Sequence, residues 1–420
     1  MARHGPLTAV VAQDKGSHAS LDQSDRTLPQ YKQRRNHLGG RRLLIVASVI
    51  AALLPISAPV ADAAGSGQYI VILKDSASRP ARVASDHGQR YGVSVTRVYT
   101  HALNGYAARI DGDQLQALRA DRSVANVVPD GIATIDETQT GATWGLDRID
   151  QRKLPLSTTF TYTNTGAGVT AYVIDTGIRL SHAEFGGRAR SGWDFVDNDP
   201  VAIDCNGHGT HVAGTVGGST YGVAKGVDLV AVRVLDCAGS GLWSGVIAGI
   251  DFVTAEHQPG EPAVANMSLG GGANLAVDLA VKNSIADGVA YAVAAGNSNA
   301  PACQFSPARV PEAMTSAAST STDAKASFSN WGSCVDWFAP GQAITSAWST
   351  GDSSTKTISG TSMASPHTAG VAALYLEGSP AASPATVAGA LRSGATTRQI
   401  TGIDRRFYPG TPNLLLFTNY

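Results

Sequence analysis

The sequence predicts an α/β fold, a mainly parallel sheet between helices, preceded by a small α+β unit. Three observations carry this. From Trp144 onward, continuous apolar, β-branched runs alternate with helical stretches, and strands apolar along their whole length belong to sheets covered on both faces. Between Gln68 and Glu137, shorter runs with alternating apolar positions are interleaved with helix-like stretches. The 420-residue chain also holds 46 glycines and only 15% charged residues, the texture of a rigid, turn-rich domain rather than a helical or disordered one.

In chain order, Gln68–Leu73 opens the first unit as a strand and a polar helical stretch follows it. Val93–Tyr99, Gly105–Ile110, the helix-like Gln114–Ala120 and Val124–Val128 complete that unit. The polar run Asp136–Gly141 then offers an accessible place for the chain to be cut. In the second unit, Val169–Ile174, Leu229–Val234, Val264–Met267 and Val289–Ala295 are strands. His208–Val216, Trp243–Val253, Leu275–Ala286 and Thr361–Leu376 are helical.

Ahead of both units, Arg41-Arg42 precede the apolar run Leu43–Leu54, then Pro55, Pro59 and Ala61-Asp62-Ala63-Ala64. A charged head, a short apolar core and an Ala-x-Ala end describe a secretory signal peptide, so the protein is expected to be secreted and extracellular. The run is too short to span a bilayer comfortably, and no stable membrane anchor is expected. Four cysteines in an exported chain suggest two disulfides, with three possible pairings. Cys205 with Cys237 and Cys303 with Cys334 is the expected pairing, each closing a loop of about thirty residues. A formal net charge of -1 argues against a nucleic-acid partner, which would want a basic stripe.

Three separated stretches carry chemistry: Ile174-Asp175-Thr176-Gly177, Asn206-Gly207-His208-Gly209-Thr210-His211, and Gly360-Thr361-Ser362-Met363-Ala364-Ser365-Pro366. Each sets an acid, a base or a hydroxyl beside glycine or a small residue, where a side chain is presented without crowding. A serine hydroxyl is a poor nucleophile until a histidine takes its proton and a carboxylate orients that histidine. Asp175 closes a buried strand, where parallel sheets gather functional groups. His208 opens a helix, and His211, one turn on, is assigned a structural role. Ser362 begins the last long helix beside unpaired N–H groups, with Pro366 placed in its first turn. The three groups are expected to form a single hydrogen-bonded row facing solvent.

These stretches are similar to those of the subtilisin-type serine proteases (peptidase family S8), whose Asp, His, Ser order is long established. From roughly Trp144 to Phe417 the chain resembles the proteinase K and aqualysin-like branch, and Tyr69 to about Glu137 resembles that family's I9-type inhibitory propeptide. The resemblance implies a subtilisin-like three-layer fold behind a ferredoxin-like propeptide domain. Its divisions would be 1–64 (N-terminal extension and signal), 65–137 (propeptide) and 138–420 (catalytic domain). It also implies a serine endopeptidase, made as a self-processed zymogen, acting on proteins or peptides through an acyl-enzyme with Asp175, His208 and Ser362. The propeptide would serve as intramolecular inhibitor and folding aid, and the enzyme would be a monomer. Ser365 stands where the family usually has threonine, and Thr368 where it usually has valine.

The same resemblance assigns Asn297, in Ala294-Ala295-Gly296-Asn297, as oxyanion donor. Gly239, Ser240 and Gly241, and Ser268, Leu269 and Gly270, would be the two edges that pair with an extended substrate. Ala295 and Gly296 would wall the first pocket, which carries no charge, so an apolar or broad preference is expected. Structural Ca2+ is implied at three places: Asp336 with the carbonyls of Pro311 and Ala313; Asp147, Asp150 and Gln151 with Ser157 and Thr159, the last where the branch usually has asparagine; and Asp194 with Asp199. Competing classes fare worse. An aspartic protease needs two Asp-Thr-Gly loops and an α/β-hydrolase needs a Gly-x-Ser-x-Gly elbow in the order Ser, Asp, His. An inactive scaffold would lack a member of the triad. No appended binding domain is expected after Tyr420.

Overall fold

The computed structural model describes residues 67–101, 103–130 and 137–420. The N-terminal extension and signal peptide assigned to residues 1–64 lie outside the described residues. The described chain forms two compact units that divide between Asp130 and Gly131.

The first unit runs β1 (Gly67–Leu73), α1 (Pro80–Tyr91), β2 (Ser94–Tyr99), β3 (Gly105–Ile110), α2 (Gly112–Ala120) and β4 (Val124–Pro129). Its sheet has the order β2-β3-β1-β4 with every pairing antiparallel, the arrangement of a split βαβ pair. Pro80 starts α1, where its missing N–H costs nothing. Asp111 and Gln114 close a reciprocal capping box on α2. Val71, Tyr106, Ala108, Leu115 and Leu118 are the centre of its core.

The second unit begins with β5 (Glu137–Thr140), α3 (Trp144–Ile149), β6 (Thr159–Tyr162), β7 (Thr170–Asp175), β8 (Ala189–Asp194), α4 (His208–Gly217), β9 (Asp228–Arg233) and α5 (Trp243–Glu256). There follow β10 (Ala263–Met267), β11 (Gly271–Gly272), α6 (Leu275–Asp287), β12 (Ala290–Ala294), β13 (Phe305–Ser306), β14 (Met314–Ser319) and β15 (Trp337–Pro340). The hairpin β16 (Ile344–Ala347) and β17 (Thr355–Ile358), α7 (Thr361–Gly378), α8 (Pro384–Gly394), β18 (Thr396–Thr397) and β19 (Leu414–Leu415) complete it. The main sheet has the order β18-β19-β15-β14-β12-β10-β7-β9-β8. Its pairings are parallel from β19 to β8, and β18 pairs antiparallel at the edge.

Alternate side chains of each strand serve opposite faces. Ala171 and Val173 of β7 join a core with α4, α7 and α8, whereas Tyr172 and Ile174 join a second core with α5 and α6. The result is three layers: helices, sheet, helices. The carboxyl ends of β7, β10 and β12 then deliver Asp175, Ser268 and Asn297 to one edge, where open parallel sheets bind ligands. Two disulfides, Cys205–Cys237 and Cys303–Cys334, are formed, and none of the described cysteines is free. Among the described residues no helix is long and apolar enough to cross a membrane.

Candidate active site

Asp175 is the last residue of β7 and is fully buried. Its Oδ1 accepts from the Thr176 N–H at 2.7 Å and meets His208 Nδ1 at 2.7 Å. A carboxylate can only accept, so Nδ1 carries the proton and Nε2 is left as the basic nitrogen. Burial disfavours the charged imidazolium, but the charge and hydrogen bond of Asp175, with the charge of Asp204, outweigh it and hold His208 above its ordinary pKa.

His208 is the first residue of α4, and each exposed N–H of that helix start has a partner. His208 N donates to Asn206 Oδ1 (3.2 Å), Gly209 N to Thr176 Oγ1 (2.9 Å), Thr210 N to Asp204 Oδ2 (2.9 Å) and His211 N to the Gly207 carbonyl (3.0 Å). Gly207 enters with φ 109°, and a Cβ there would stand 2.4 Å from the Trp348 ring, so only glycine fits. His211 is buried and its Nε2 lies 3.0 Å from the Ile344 carbonyl and 3.1 Å from that of Lys356, tying α4 to the β16–β17 hairpin.

Ser362 is the second residue of α7. Its hydroxyl donates to the Ser268 carbonyl at 3.0 Å, and the Ser268 hydroxyl donates back to the Ser362 carbonyl at 2.7 Å. Pro366 explains the second bond. It lies in the body of the helix, not in its first turn as the sequence suggested. Having no N–H, it leaves the carbonyl four residues earlier, that of Ser362, without an intrahelical donor. Asn266 holds this junction from below: its Nδ2 donates to Ser268 Oγ at 2.8 Å and its Oδ1 accepts from Ser365 Oγ at 2.7 Å. Among the described residues no hydrogen bond joins Ser362 to His208, so the serine rests on a backbone carbonyl instead of the expected continuous row.

Asn297 follows β12. Its Oδ1 accepts from both the N–H (2.8 Å) and the hydroxyl (2.9 Å) of Thr361, which fixes the carboxamide and leaves Nδ2 to donate outward. A Cβ on Gly360 would lie 3.5 Å from Ser362 N and 3.6 Å from Asn297 Nδ2, so the missing side chain leaves a space flanked by two N–H donors. Asn330, buried, holds this loop: its Nδ2 donates to the Ala295 carbonyl (2.9 Å) and its Oδ1 accepts from Ser298 N (2.9 Å) and Ala300 N (3.0 Å). A Cβ on Gly296 would meet Asn330 Nδ2 at 2.4 Å.

A cleft of about 570 Å³ beside His208 is lined by Gly239, Ser240 and Gly241 on one side and Ser268, Leu269 and Gly270 on the other. A smaller cavity of about 190 Å³ contains Ser362, Asn297, Ala295 and Gly296 and shares Ser268 to Gly271 with the cleft. Neither has a charged wall apart from His208 itself. Asp236 Oδ1 braces the first edge by accepting from Ala238 N and Ser240 N, both at 2.9 Å.

The three places named for calcium differ. Among the described residues no group of three or more acidic, histidine or cysteine side chains is placed to hold a metal ion. At Asp336, Oδ2 accepts from Thr315 N (2.8 Å) and Oδ1 pairs with the Arg392 guanidinium, so a protein cation already faces the carboxylate meant to join the Pro311 and Ala313 carbonyls. Asp194 likewise pairs with Arg233 and accepts from Val196 N (2.7 Å), while Asp199 accepts from Val201 N (2.8 Å). Each of these two places has a carboxylate matched by an arginine. Asp147 accepts from Ser157 N, Ser157 Oγ and Thr158 N, and Ser157 Oγ meets Thr159 Oγ1 at 2.7 Å. Asp150 Oδ2 accepts from Thr161 N at 2.7 Å, but its Oδ1 is buried with no partner. Burial, with the nearby Asp147 charge, pushes Asp150 up to about 6 against the Thr161 hydrogen bond. Gln151, adjacent, spends its Nε2 on the Lys153 and Pro155 carbonyls. This donor set fits a cation.

Comparisons with known proteins agree with this geometry. Residues 166–410 match the model of the subtilase family, peptidase S8, and residues 68–136 that of peptidase inhibitor I9. The chain is 52% identical over 390 residues to the extracellular serine proteinase of Thermus sp. (strain Rt41A), covering 88% of this chain and 93% of that protein. It is 55% identical over 334 residues to alkaline serine exoprotease A of Vibrio alginolyticus, covering 78% of this chain but 61% of that longer protein. A crystal structure of a cold-adapted subtilisin-like serine proteinase, 56% identical, superposes with a TM-score of 0.64 over 67% of this chain and 100% of its own. A nine-stranded sheet that delivers an Asp–His pair, a helix-borne serine and a fixed carboxamide to one edge, with sequence likeness of this extent, places the chain in the subtilase family as a serine endopeptidase preceded by an I9 inhibitor segment.

Proposed function

We propose that this protein is a secreted zymogen whose catalytic domain, residues 138–420, hydrolyses internal peptide bonds of proteins with broad, apolar-leaning specificity. The observation that carries this is the 2.7 Å contact of His208 Nδ1 with the buried Asp175 carboxylate, beside a cleft whose walls continue to Ser362 and Asn297. An extended substrate pairs with the 239–241 and 268–270 edges and sets its carbonyl carbon over Ser362 Oγ. The hydroxyl leaves Ser268 and gives its proton to His208 Nε2 as Oγ bonds to that carbon. The oxyanion accepts from Ser362 N–H and Asn297 Nδ2. Collapse breaks the C–N bond, with His208 returning the proton to the leaving amine. Water then attacks the ester, again through His208, and restores the serine.

The uncharged walls of the smaller cavity support the apolar preference; faster cleavage after lysine or arginine would contradict it. The I9 segment, ending near residue 137, acts as folding aid and inhibitor until the polar run 136–141 is cut. N-terminal sequencing of the secreted species should begin within that run, and casein clearing should vanish on treatment with phenylmethylsulfonyl fluoride. A secreted species beginning before residue 130, with unimpaired activity, would refute the zymogen reading.

Asp147, Asp150, Gln151 and Ser157 would hold one structural calcium ion, which supplies a countercharge to two neighbouring carboxylates and has no part in the chemistry. Saturating Ca2+ should add roughly 2–3 kcal/mol to the folded state at a hundredfold excess over Kd, or about 3–5 °C in Tm for a domain of this size. EDTA should remove that increment. In Asp150→Asn the difference between Ca2+ and EDTA should collapse, and an unchanged difference would relocate the ion.

A further inference from the structure

Asp204 lies four residues before His208 and outside the triad, yet it is buried with every oxygen occupied. Its Oδ1 accepts from Thr176 Oγ1 (2.9 Å), Asn206 N (2.9 Å) and Gly207 N (2.8 Å), and its Oδ2 from Thr210 N (2.9 Å) and Thr210 Oγ1 (2.6 Å). Thr176 is the neighbour of Asp175, and its hydroxyl also accepts from Gly209 N at 2.9 Å. One carboxylate therefore ties the end of β7, which carries Asp175, to the first turn of α4, which carries His208. Each of its five donors is an N–H or a hydroxyl, so its negative charge is met by dipoles and not by a cation.

We propose that Asp204 is a positioning residue for the reaction: it fixes the Asp175–His208 alignment and adds a second uncompensated negative charge toward the imidazole. This rests on the assignment of Asp175 and His208 as the acid–base pair. Other titratable groups on elements packed around α4 do not supply that charge. His211 and His367 are both lowered by burial to about 4 and stay neutral. Glu184 spends its carboxylate on Thr220 N (2.7 Å) and Tyr221 N (3.1 Å) at the far end of the helix. His182 contacts the Ser354 carbonyl (2.9 Å), and Arg233 is neutralised by Asp194 and Asp197.

A negative charge favours the imidazolium, so removing it lowers the pH at which His208 becomes a base. In Asp204→Asn the acid limb of kcat/KM should move down by about half a pH unit or more. At the alkaline plateau kcat should fall about tenfold, with KM changing less than about threefold. Thr176→Val removes the bridge but keeps the charge; its kcat should fall with the acid limb in place. An unmoved limb in Asp204→Asn overturns the proposal. If that variant does not accumulate folded, an unchanged kcat in Thr176→Val overturns it. His208→Ala separates the two levels. Activity surviving that change would refute the acid–base assignment itself, whereas activity lost there with an unmoved Asp204→Asn limb refutes only the role of Asp204.

Discussion

Replacing Ser362 by alanine is expected to lower kcat by about 10⁶-fold, the size of loss established for the triad serine of subtilisin itself. The physical reason is that no other hydroxyl shares the position. Ser362 sits at the second residue of α7, held by the reciprocal pair with Ser268; alanine deletes only the nucleophile, leaving the Ser268 hydroxyl on the helix carbonyl and the fold intact. Two readouts follow. Casein hydrolysis by the purified variant should be indistinguishable from background, and the unprocessed chain should accumulate, because the cut after the I9 segment would be the enzyme's own. Normal maturation of Ser362→Ala in a host lacking other extracellular proteases would show that another protease or another nucleophile makes that cut.

Asn297→Ala should cost about 10²–10³ in kcat with little change in KM, again the size established for the equivalent donor in subtilisin. Thr361 holds the carboxamide oxygen with two hydrogen bonds, so the amide is aimed before substrate arrives and its benefit is realised only when the carbonyl oxygen becomes an anion. Alanine would leave the Thr361 N–H unpartnered at a helix start, a modest stability loss of about 1 kcal/mol. Turnover unchanged within twofold would mean that the Ser362 N–H alone carries the oxyanion. A rise in KM in step with the loss in kcat/KM would mean that Asn297 holds substrate in its ground state.

Much of the fold was legible because its central strands are long apolar runs. Thr170–Asp175, Asp228–Arg233, Ala263–Met267 and Ala290–Ala294 lie within a residue or so of where apolar, β-branched composition places them. Met314–Ser319 was not legible: its Met-Thr-Ser-Ala-Ala-Ser sequence has a single β-branched residue and no apolar alternation, yet all six residues are buried. Small side chains are needed there because α7 packs directly across the sheet. The helix Pro384–Gly394 was missed although Ser383 caps Thr386 N and Pro384 opens it, a start signal that the sequence does contain. At the site, the motif residues could be named from local spacing, but Asp204, Asn266 and Asn330 could not. Their work is done on backbone groups and hydroxyls brought near by the fold, as with Asn330 and the loop some thirty positions earlier. Arg233 was hidden for the same reason, as the last residue of a strand whose interior, Leu229–Val232, is purely apolar.

That arginine bears on where the enzyme can operate. The turn between Asp194 and Asp199 gathers acidic side chains that would repel one another, and the guanidinium of Arg233 reaches into it to bind Asp194 and Asp197. A positive charge supplied by the gene travels with the molecule. Chelators cannot strip it and dilution cannot release it, so this corner of the protein should keep its shape in media poor in free divalent ions.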